Sequence, residues 1–169
     1  GTRKWTQIAA GGNHSLAISS GELFGFGFNQ YGELGPSGAI GLLSVVPTPS
    51  SIPSSPPDKI YAGNNISAYI DNNLVYLFGR NNYGQLADGT KIDNSGVRNA
   101  GTYFNYLKPK SMSLGRSVIA IQNHDNELYL AGRIPDNEIF YEALYPKKLN
   151  FKNITHFDID DETGLFYAD

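Results

Sequence analysis

The chain has 169 residues, and its 13 Lys plus Arg against 16 Asp plus Glu give a formal net charge of −3. This acidic balance argues against a nucleic-acid-binding protein that works by neutralising phosphates. The absence of cysteine excludes disulfides and thiolate metal sites. Hydrophobic residues make up 40% of the chain, enough for a folded core, but no apolar run is long enough to predict a membrane span.

The first clear pattern lies in Ile8–Gly35, where two short strands are predicted on either side of a Ser-Ser-Gly turn at 19–21. Small residues and glycine at such a turn favour a β-hairpin. The segment that follows, 36–57, is rich in Pro and Ser. We expect a loop with a short outer strand around 42–46, because Pro47 and Pro49 are incompatible with a central strand.

The same pattern returns without a gap in Ile60–Ala87, displaced by 52 residues. Its hairpin is predicted from a strand at 67–70, an Asp-Asn-Asn turn at 71–73 and a return strand at 74–78. Matching pairs are Gly11 and Gly63, Ser15 and Ser67, Gly27 and Gly79, Tyr31 and Tyr83, Gly32 and Gly84, and Leu34 and Leu86. Since no segment keeps a helical period without Gly or Pro, the sequence predicts an all-β repeat protein.

A third copy is weaker. Gly115 lies 52 residues after Gly63, whereas Gly132 lies 53 residues after Gly79. The additional residue falls in the predicted turn at 123–126. The third copy therefore keeps the hairpin, although the Asn-x-Tyr-Gly stretch that follows the hairpin in the first two copies is lost.

A fourth copy begins near Ile154, and the register that we favour there sets Thr163 at the position of Ser67. The chain is thus interpreted as one array of repeats rather than as separate domains. The predicted repeat limits are 5–57, 58–107 and 108–152, with a partial repeat at 153–169.

Eight glycines recur at matching positions, and we interpret them as structural. They are Gly11, Gly27, Gly32, Gly63, Gly79, Gly84, Gly115 and Gly132. Where a glycine closes the second strand of a hairpin, a Cβ atom is expected to crowd a neighbouring backbone. The Tyr-Gly pairs that follow predict a tight turn with the aromatic ring packed over it.

The pattern I-x-x-G-x-x-H-S-x-x-I, a turn, and then L-x-x-F-G-x-N-x-Y-G-x-L-G resembles the repeat of the regulator of chromosome condensation family. The likeness is densest over Ile8–Gly35, good over Ile60–Gly89 and partial over Ser113–Gly132. It implies a β-propeller with one blade of four antiparallel strands per repeat. Rings of this family typically have about seven blades. We therefore expect about three blades of an incomplete ring, in a fragment or in a piece completed by other polypeptide.

The resemblance also implies a non-catalytic module that binds another protein. Members of the family act as guanine-nucleotide exchange factors for small GTPases, as parts of ubiquitin ligases, or as scaffolds. The leading interpretation is an exchange-factor-like or scaffold protein that regulates a small GTPase. The alternative is a structural subunit of a larger assembly, whose other chains complete or cover the blades. No cofactor is expected, and the absence of cysteine and of a signal sequence favours the cytoplasm or nucleus.

No motif of an enzyme stands out, because the sequence lacks GxSxG, HExxH and a phosphate-binding loop. His14 occupies a repeat position, which favours a structural hydrogen bond over catalysis. One acidic cluster contains Asp158, Asp160, Asp161 and Glu162. Its spacing does not match a calcium-binding loop, so we interpret it as a solvated loop or a patch for a basic partner.

Overall fold

The computed structural model of the chain describes residues 3–35, 43–50, 56–99, 104, 106–136, 139–151, 154–159 and 164–168. The first sheet contains β1 (Trp5–Ala10), β2 (His14–Ser19), β3 (Glu22–Phe28) and β4 (Leu43–Ser50). The second contains β5 (Lys59–Ala62), β6 (Ile66–Asp71), β7 (Leu74–Gly79) and β8 (Asn94–Asn99). The third contains β9 (Pro109–Leu114), β10 (Val118–Asn123), β11 (Leu128–Asp136) and β12 (Ile139–Lys148), and the pair β13 (Ile154–Ile159) and β14 (Gly164–Ala168) follows.

Each of the three four-stranded sheets is an antiparallel meander in which neighbouring strands are consecutive in the chain. The first strand of each sheet packs against the first strand of the next, in the order β1, β5, β9 and β13. These inner strands border an open groove of about 280 Å³. The predicted blades of four antiparallel strands are confirmed, and the described residues form three blades and the inner half of a fourth, which do not close into a ring.

The hairpins follow from residues that tolerate a positive φ. Asn72 and Asn73 have φ values of 50° and 63°, and they join β6 to β7 in a two-residue loop closed by the pairing of Asp71 with Leu74. Ser20 and Gly21 do the same between β2 and β3, with φ values of 54° and 80°. Positive φ at both central residues matches the right-handed twist of the strands.

The proline-rich segment forms a longer strand than the sequence predicted. β4 runs from Leu43 to Ser50 and includes Pro47 and Pro49. It pairs with β3 alone, at the outer edge of the first sheet, and its register shifts opposite 25–27. An edge strand tolerates proline because only one side of the strand takes part in the ladder.

Hydrophobic cores lie between neighbouring sheets, and the central strands contribute to two of them. In β6 the side chains of Ile66, Ala68 and Ile70 face the third sheet, whereas Tyr69 faces the first. The core between the first two sheets contains Leu16, Ile18, Leu23, Ile60, Tyr69 and Phe78. The core between the third sheet and β13 contains Val118, Ala120, Leu128, Leu130, Ile134, Ile154 and Ile159. Because successive side chains of a strand point to opposite faces of the sheet, one strand can contribute to the cores on both sides of its blade.

The first sheet has no blade against its other face among the described residues. Ile60 and Met112 are 8% and 6% exposed because a preceding sheet covers them, whereas Ile8, at the matching position, is 80% exposed. Phe24 on the same face is covered locally instead. The Trp5 ring meets it edge-on with centroids 5.6 Å apart, and the Arg3 guanidinium lies 4.3 Å from its centroid.

The fourth repeat differs by one residue from the expected register. Ile159 pairs with Gly164 in the same way as Ala62 pairs with Ser67, so Gly164 takes the position that was expected for Thr163. Thr163 itself lies outside the described residues. The prediction was wrong because no glycine marks this loop, and a one-residue slip between unanchored strands leaves a plausible hydrophobic pattern.

We predict that Gly79→Ala destabilises the chain by about 3 kcal/mol in urea unfolding. Gly79 has a φ of 109°, and a Cβ there would lie 2.5 Å from the Asn65 carbonyl oxygen. Gly21 is the matched control, because its φ is 80° but the nearest atom to an added Cβ is 3.7 Å away. Gly21→Ala therefore carries the conformational cost alone, about 1 kcal/mol. Equal losses in the two variants would contradict the steric part of this account.

Candidate protein-interaction rim

The loops after the first and third strands of each blade lie at one edge of the array, which we call the glycine rim; its described residues are 11–13, 29–35, 63–65, 80–93 and 115–117. The opposite edge, with the turns at 20–21, 72–73 and 124–126 and the segment 149–151, is called the hairpin rim. All eight glycines singled out in the sequence lie on or at the border of the glycine rim. Gly11, Gly63 and Gly115 follow the first strands, and Gly32 and Gly84 lie in the turns after the third strands. Gly27 and Gly79 lie at the ends of the third strands, whereas Gly132 lies within β11, opposite the first residue of β10.

The glycines after the first strands allow two blades to approach closely. A Cβ on Gly11 would lie 2.2 Å from the Gly63 carbonyl oxygen, and a Cβ on Gly63 would lie 2.5 Å from the Leu114 carbonyl oxygen. The Gly12 N–H donates to the same Gly63 oxygen at 3.1 Å. Backbone contacts of this kind bring neighbouring rim loops together without intervening side chains.

The turn after the third strand is held by an asparagine. Asn81 is fully buried, and its Oδ1 accepts the Leu86 N–H at 2.8 Å. Its Nδ2 faces Asp88 Oδ1 and the Ile92 carbonyl at 3.1 and 3.2 Å. The loop 82–93 is therefore wrapped around one side chain. In the first blade Asn29 Oδ1 accepts the Leu34 N–H at 2.8 Å in the same way.

The residue after each Tyr-Gly pair is a buried polar side chain, Glu33 in the first blade and Gln85 in the second. Glu33 Oε2 accepts the Tyr31 N–H at 2.9 Å, and Gln85 Oε1 accepts the Tyr83 N–H at 2.8 Å. Burial raises the pKa of Glu33, although the hydrogen bonds that it accepts from backbone N–H groups oppose this shift. A carboxylic acid that is costly to ionise thus stands where the next blade has a neutral amide.

His14, Ser67 and Glu33 form a chain of hydrogen bonds between the first two blades. The Ser67 hydroxyl donates to the Glu33 carbonyl oxygen at 2.7 Å. Because its one hydrogen is used there, the hydroxyl accepts from His14 Nε2 at 2.8 Å, which assigns the neutral Nε2–H tautomer. Burial lowers the pKa of His14 to about 4. The predicted structural hydrogen bond of His14 is confirmed.

Arginines stack on the tyrosines of the rim, across the boundary between blades. The Arg80 guanidinium lies 4.9 Å from the Tyr31 ring centroid. One blade further on, the Arg133 guanidinium lies 5.4 Å from Tyr83 and 4.1 Å from Phe140. The sequence analysis expected the tyrosines to pack over their turns but missed the arginines. The alignment contains the signal, because both arginines directly follow a glycine that recurs in the repeat, at the position of Phe28 in the first blade.

The acidic cluster is described only in part. Asp160, Asp161 and Glu162 lie outside the described residues. Asp158 is exposed, and its Oδ1 accepts the Ser113 hydroxyl at 2.6 Å, while the same hydroxyl oxygen accepts the Ile159 N–H at 3.0 Å. Asp158 thus joins β13 to the third blade, and a patch for a basic partner stays a prediction.

The described part of the chain contains no group of three or more His, Asp or Glu side chains placed to hold a metal ion. It also contains no helix with the length and hydropathy needed to span a membrane.

The model of the Regulator of chromosome condensation (RCC1) repeat matches residues 5–33. The first blade of the partial propeller is therefore similar to this repeat. The X-linked retinitis pigmentosa GTPase regulator of Canis lupus familiaris is 28% identical over 144 residues, which are 82% of this chain and 14% of that protein. Its Homo sapiens counterpart is 25% identical over 137 residues, which are 78% of this chain and 13% of that protein. The chain therefore spans about one seventh of these curated relatives.

Three solved structures share the fold. Prp20p from Saccharomyces cerevisiae, described with its binding properties to Gsp1p and histones, superposes with a TM-score of 0.81 and 20% identity over 99% of this chain and 44% of that one. Yeast RCC1 (Prp20) bound to Kap60 superposes with a TM-score of 0.80 and 19% identity, over 99% of this chain and 42% of that one. Human WBSCR16 superposes with a TM-score of 0.77 and 18% identity, over 94% of this chain and 43% of that one. This chain thus spans just under half the length of each of these solved chains.

We predict that His14 makes stability depend on pH between about 4 and 6.5. In this window the unfolded chain binds more protons, because the folded pKa is lowered from 6.5 to about 4. The contribution of His14 to the free energy of unfolding is complete above pH 6.5. It is lost as the pH falls to about 4, and the total loss is about 3 kcal/mol. Urea unfolding of the parent and of His14→Gln isolates this contribution from other titrating groups. The difference between the two curves should shrink towards acid; a difference that is constant from pH 7 to 4 would contradict the assignment.

Proposed function

We propose that the chain is part of a non-catalytic protein-interaction propeller that binds a small GTPase and regulates its nucleotide state, as an exchange-factor-like or scaffold protein. The observation that carries the proposal is the match of nearly the whole arc to Prp20p, which is described with its binding to Gsp1p. The 28% identity to a protein named as a GTPase regulator supports it independently. A cytoplasmic or nuclear location stays a prediction.

The glycine rim is where we place the docking surface. Hydrogen bonds and backbone contacts between blades make its loops rigid, which lowers the entropy that binding must overcome. Tyr and Arg, with Trp, are the side chains enriched among the residues that dominate protein interfaces. Here they pair at both boundaries between the three blades, in the Arg80 and Arg133 stacks. An exchange factor acts by binding the nucleotide-free GTPase more tightly than the nucleotide-bound form.

A second candidate is a structural subunit of an assembly in which other chains complete or cover the blades. The exposure of Ile8 and Phe28, 80% and 48%, favours it, because the face of the first sheet then has a further apolar partner. This role and the first are compatible in one polypeptide, but they differ in what happens to nucleotide release.

The test is binding of immobilised chain to a panel of small GTPases in the nucleotide-free, GDP and GTP-analogue states, followed by release of fluorescent GDP. We expect one GTPase to bind at least about tenfold more tightly when nucleotide-free, a difference of about 1.4 kcal/mol, and its GDP release to accelerate. Equal binding in all states with no acceleration would leave only the scaffold role. No binding to any GTPase would overturn the proposal and favour the structural subunit.

Two phenylalanines provide matched controls for the surface. Phe140 is 45% exposed beside the glycine rim, and Phe151 is 49% exposed on the hairpin rim. Phe140→Ala should weaken GTPase binding, whereas Phe151→Ala should leave it unchanged. The reverse result would move the docking surface to the hairpin rim.

A further inference from the structure

Arg80 and Arg133 occupy the same place in successive blades. Each directly follows a glycine that recurs in the repeat, and its backbone N–H donates to a carbonyl of the loop after the first strand, at 2.9 Å to Asn65 and 2.8 Å to Ser117. Both side chains are half-buried, so part of each remains accessible. The fold therefore presents two guanidinium groups at the same level of the glycine rim, one blade apart.

Aromatic rings, rather than carboxylates, hold both guanidinium groups. Within the described residues neither arginine makes an ion pair or a side-chain hydrogen bond. Glu142 lies opposite Arg133 in the β11–β12 ladder, but its carboxylate binds Lys91. A stacked guanidinium is fixed in orientation while the N–H groups at its edge remain available.

Three other carboxyl groups on this rim accept hydrogen bonds within it, and one of them, Asp88 Oδ1, accepts the Thr90 N–H at 2.9 Å. Glu33 is 1% exposed and accepts the Tyr31 N–H. Asp93 Oδ1 accepts the Asn81 N–H at 2.7 Å. Arg116, in the next loop of the rim, is exposed and adds a third cation. Arg80, Arg116 and Arg133 thus carry guanidinium groups that no carboxylate among the described residues binds.

We propose that Arg80 and Arg133 are a two-point anchor for an acidic segment of a partner protein, in which one carboxylate meets each guanidinium. Arginine binds carboxylates bidentately, and a pre-oriented fork loses less entropy on binding. The inference depends on the proposed function only in taking a protein as the partner. A nucleic acid fits less well, because guanidinium groups cover the ring faces that bases would stack on and the whole chain is acidic.

The experiment uses the whole chain and a fluorescein-labelled octa-glutamate peptide, with binding followed by fluorescence anisotropy at low salt. The octa-glutamine peptide is the uncharged control. We expect the glutamate peptide to bind and the glutamine peptide not to bind. The double variant Arg80→Gln, Arg133→Gln should weaken binding at least about tenfold, and Arg80→Lys, Arg133→Lys should restore only part of it, because lysine keeps the charge but not the fork.

Arg3→Gln is the matched control, because Arg3 is also a guanidinium stacked on a ring but precedes β1, away from the glycine rim. It should bind the peptide as the parent does. Thermal unfolding of every variant checks that the fold is kept, and the comparison of the two peptides on the parent tests the proposal without any variant.

Several results would overturn the anchor: no binding of octa-glutamate to the parent, the same loss in Arg3→Gln as in the double variant, or an oligothymidylate of equal charge that binds the stacks more tightly than the peptide. The GTPase panel is scored separately. If a GTPase binds but the glutamate peptide does not, the anchor is rejected and the proposed function stands. If the peptide binds but no GTPase does, the proposed GTPase partner is rejected and the anchor stands.

Discussion

Burial of each sheet against the next is the interaction on which this structure depends. A four-stranded sheet whose two faces are both apolar is not stable alone in water. In β6 the alternation of side chains sends Ile66, Ala68 and Ile70 to one neighbour and Tyr69 to the other. The blades therefore stabilise one another in series, as in other repeat arrays where each unit contacts its neighbours.

The same contacts between blades build the glycine rim. Ser67 in the second blade binds His14 and the Glu33 carbonyl of the first. Arg80 reaches back to Tyr31 across the same boundary. Since each of these groups comes from a different blade than its partner, the shape of the rim depends on how the blades pack. A rim with this construction is rigid where its blades are packed, and rigidity favours tight binding of a partner.

Much of the fold could be predicted from the sequence because the repeat is marked by residues with a backbone role. Glycines at a constant offset and turn residues such as Asn72 and Asn73 specify the hairpins locally. The length of β4 was underestimated, because Pro47 and Pro49 argue against a strand until its edge position is known. The register after Ile159 was missed for lack of a glycine marker.

The chemistry of the rim was harder to predict, because it arises between residues that are distant in sequence. Arg133 and Tyr83 belong to different repeats, and nothing in either local pattern indicates that they stack. The bond from His14 to Ser67 likewise joins two copies of one motif. Alignment of the repeats identifies the candidate positions. Only the packing of the blades decides which position of one repeat contacts which position of the next.

Hydrogen exchange of the β6 amides in a Leu16→Ala variant tests the mutual dependence of the blades most directly. Leu16 is 1% exposed in the core that the first sheet shares with Tyr69 and Phe78 of the second. Its truncation should cost about 2–5 kcal/mol, and the account predicts that protection falls in β6 as well as in β2. Loss of protection confined to β1–β4, with the β6 amides unchanged, would contradict it.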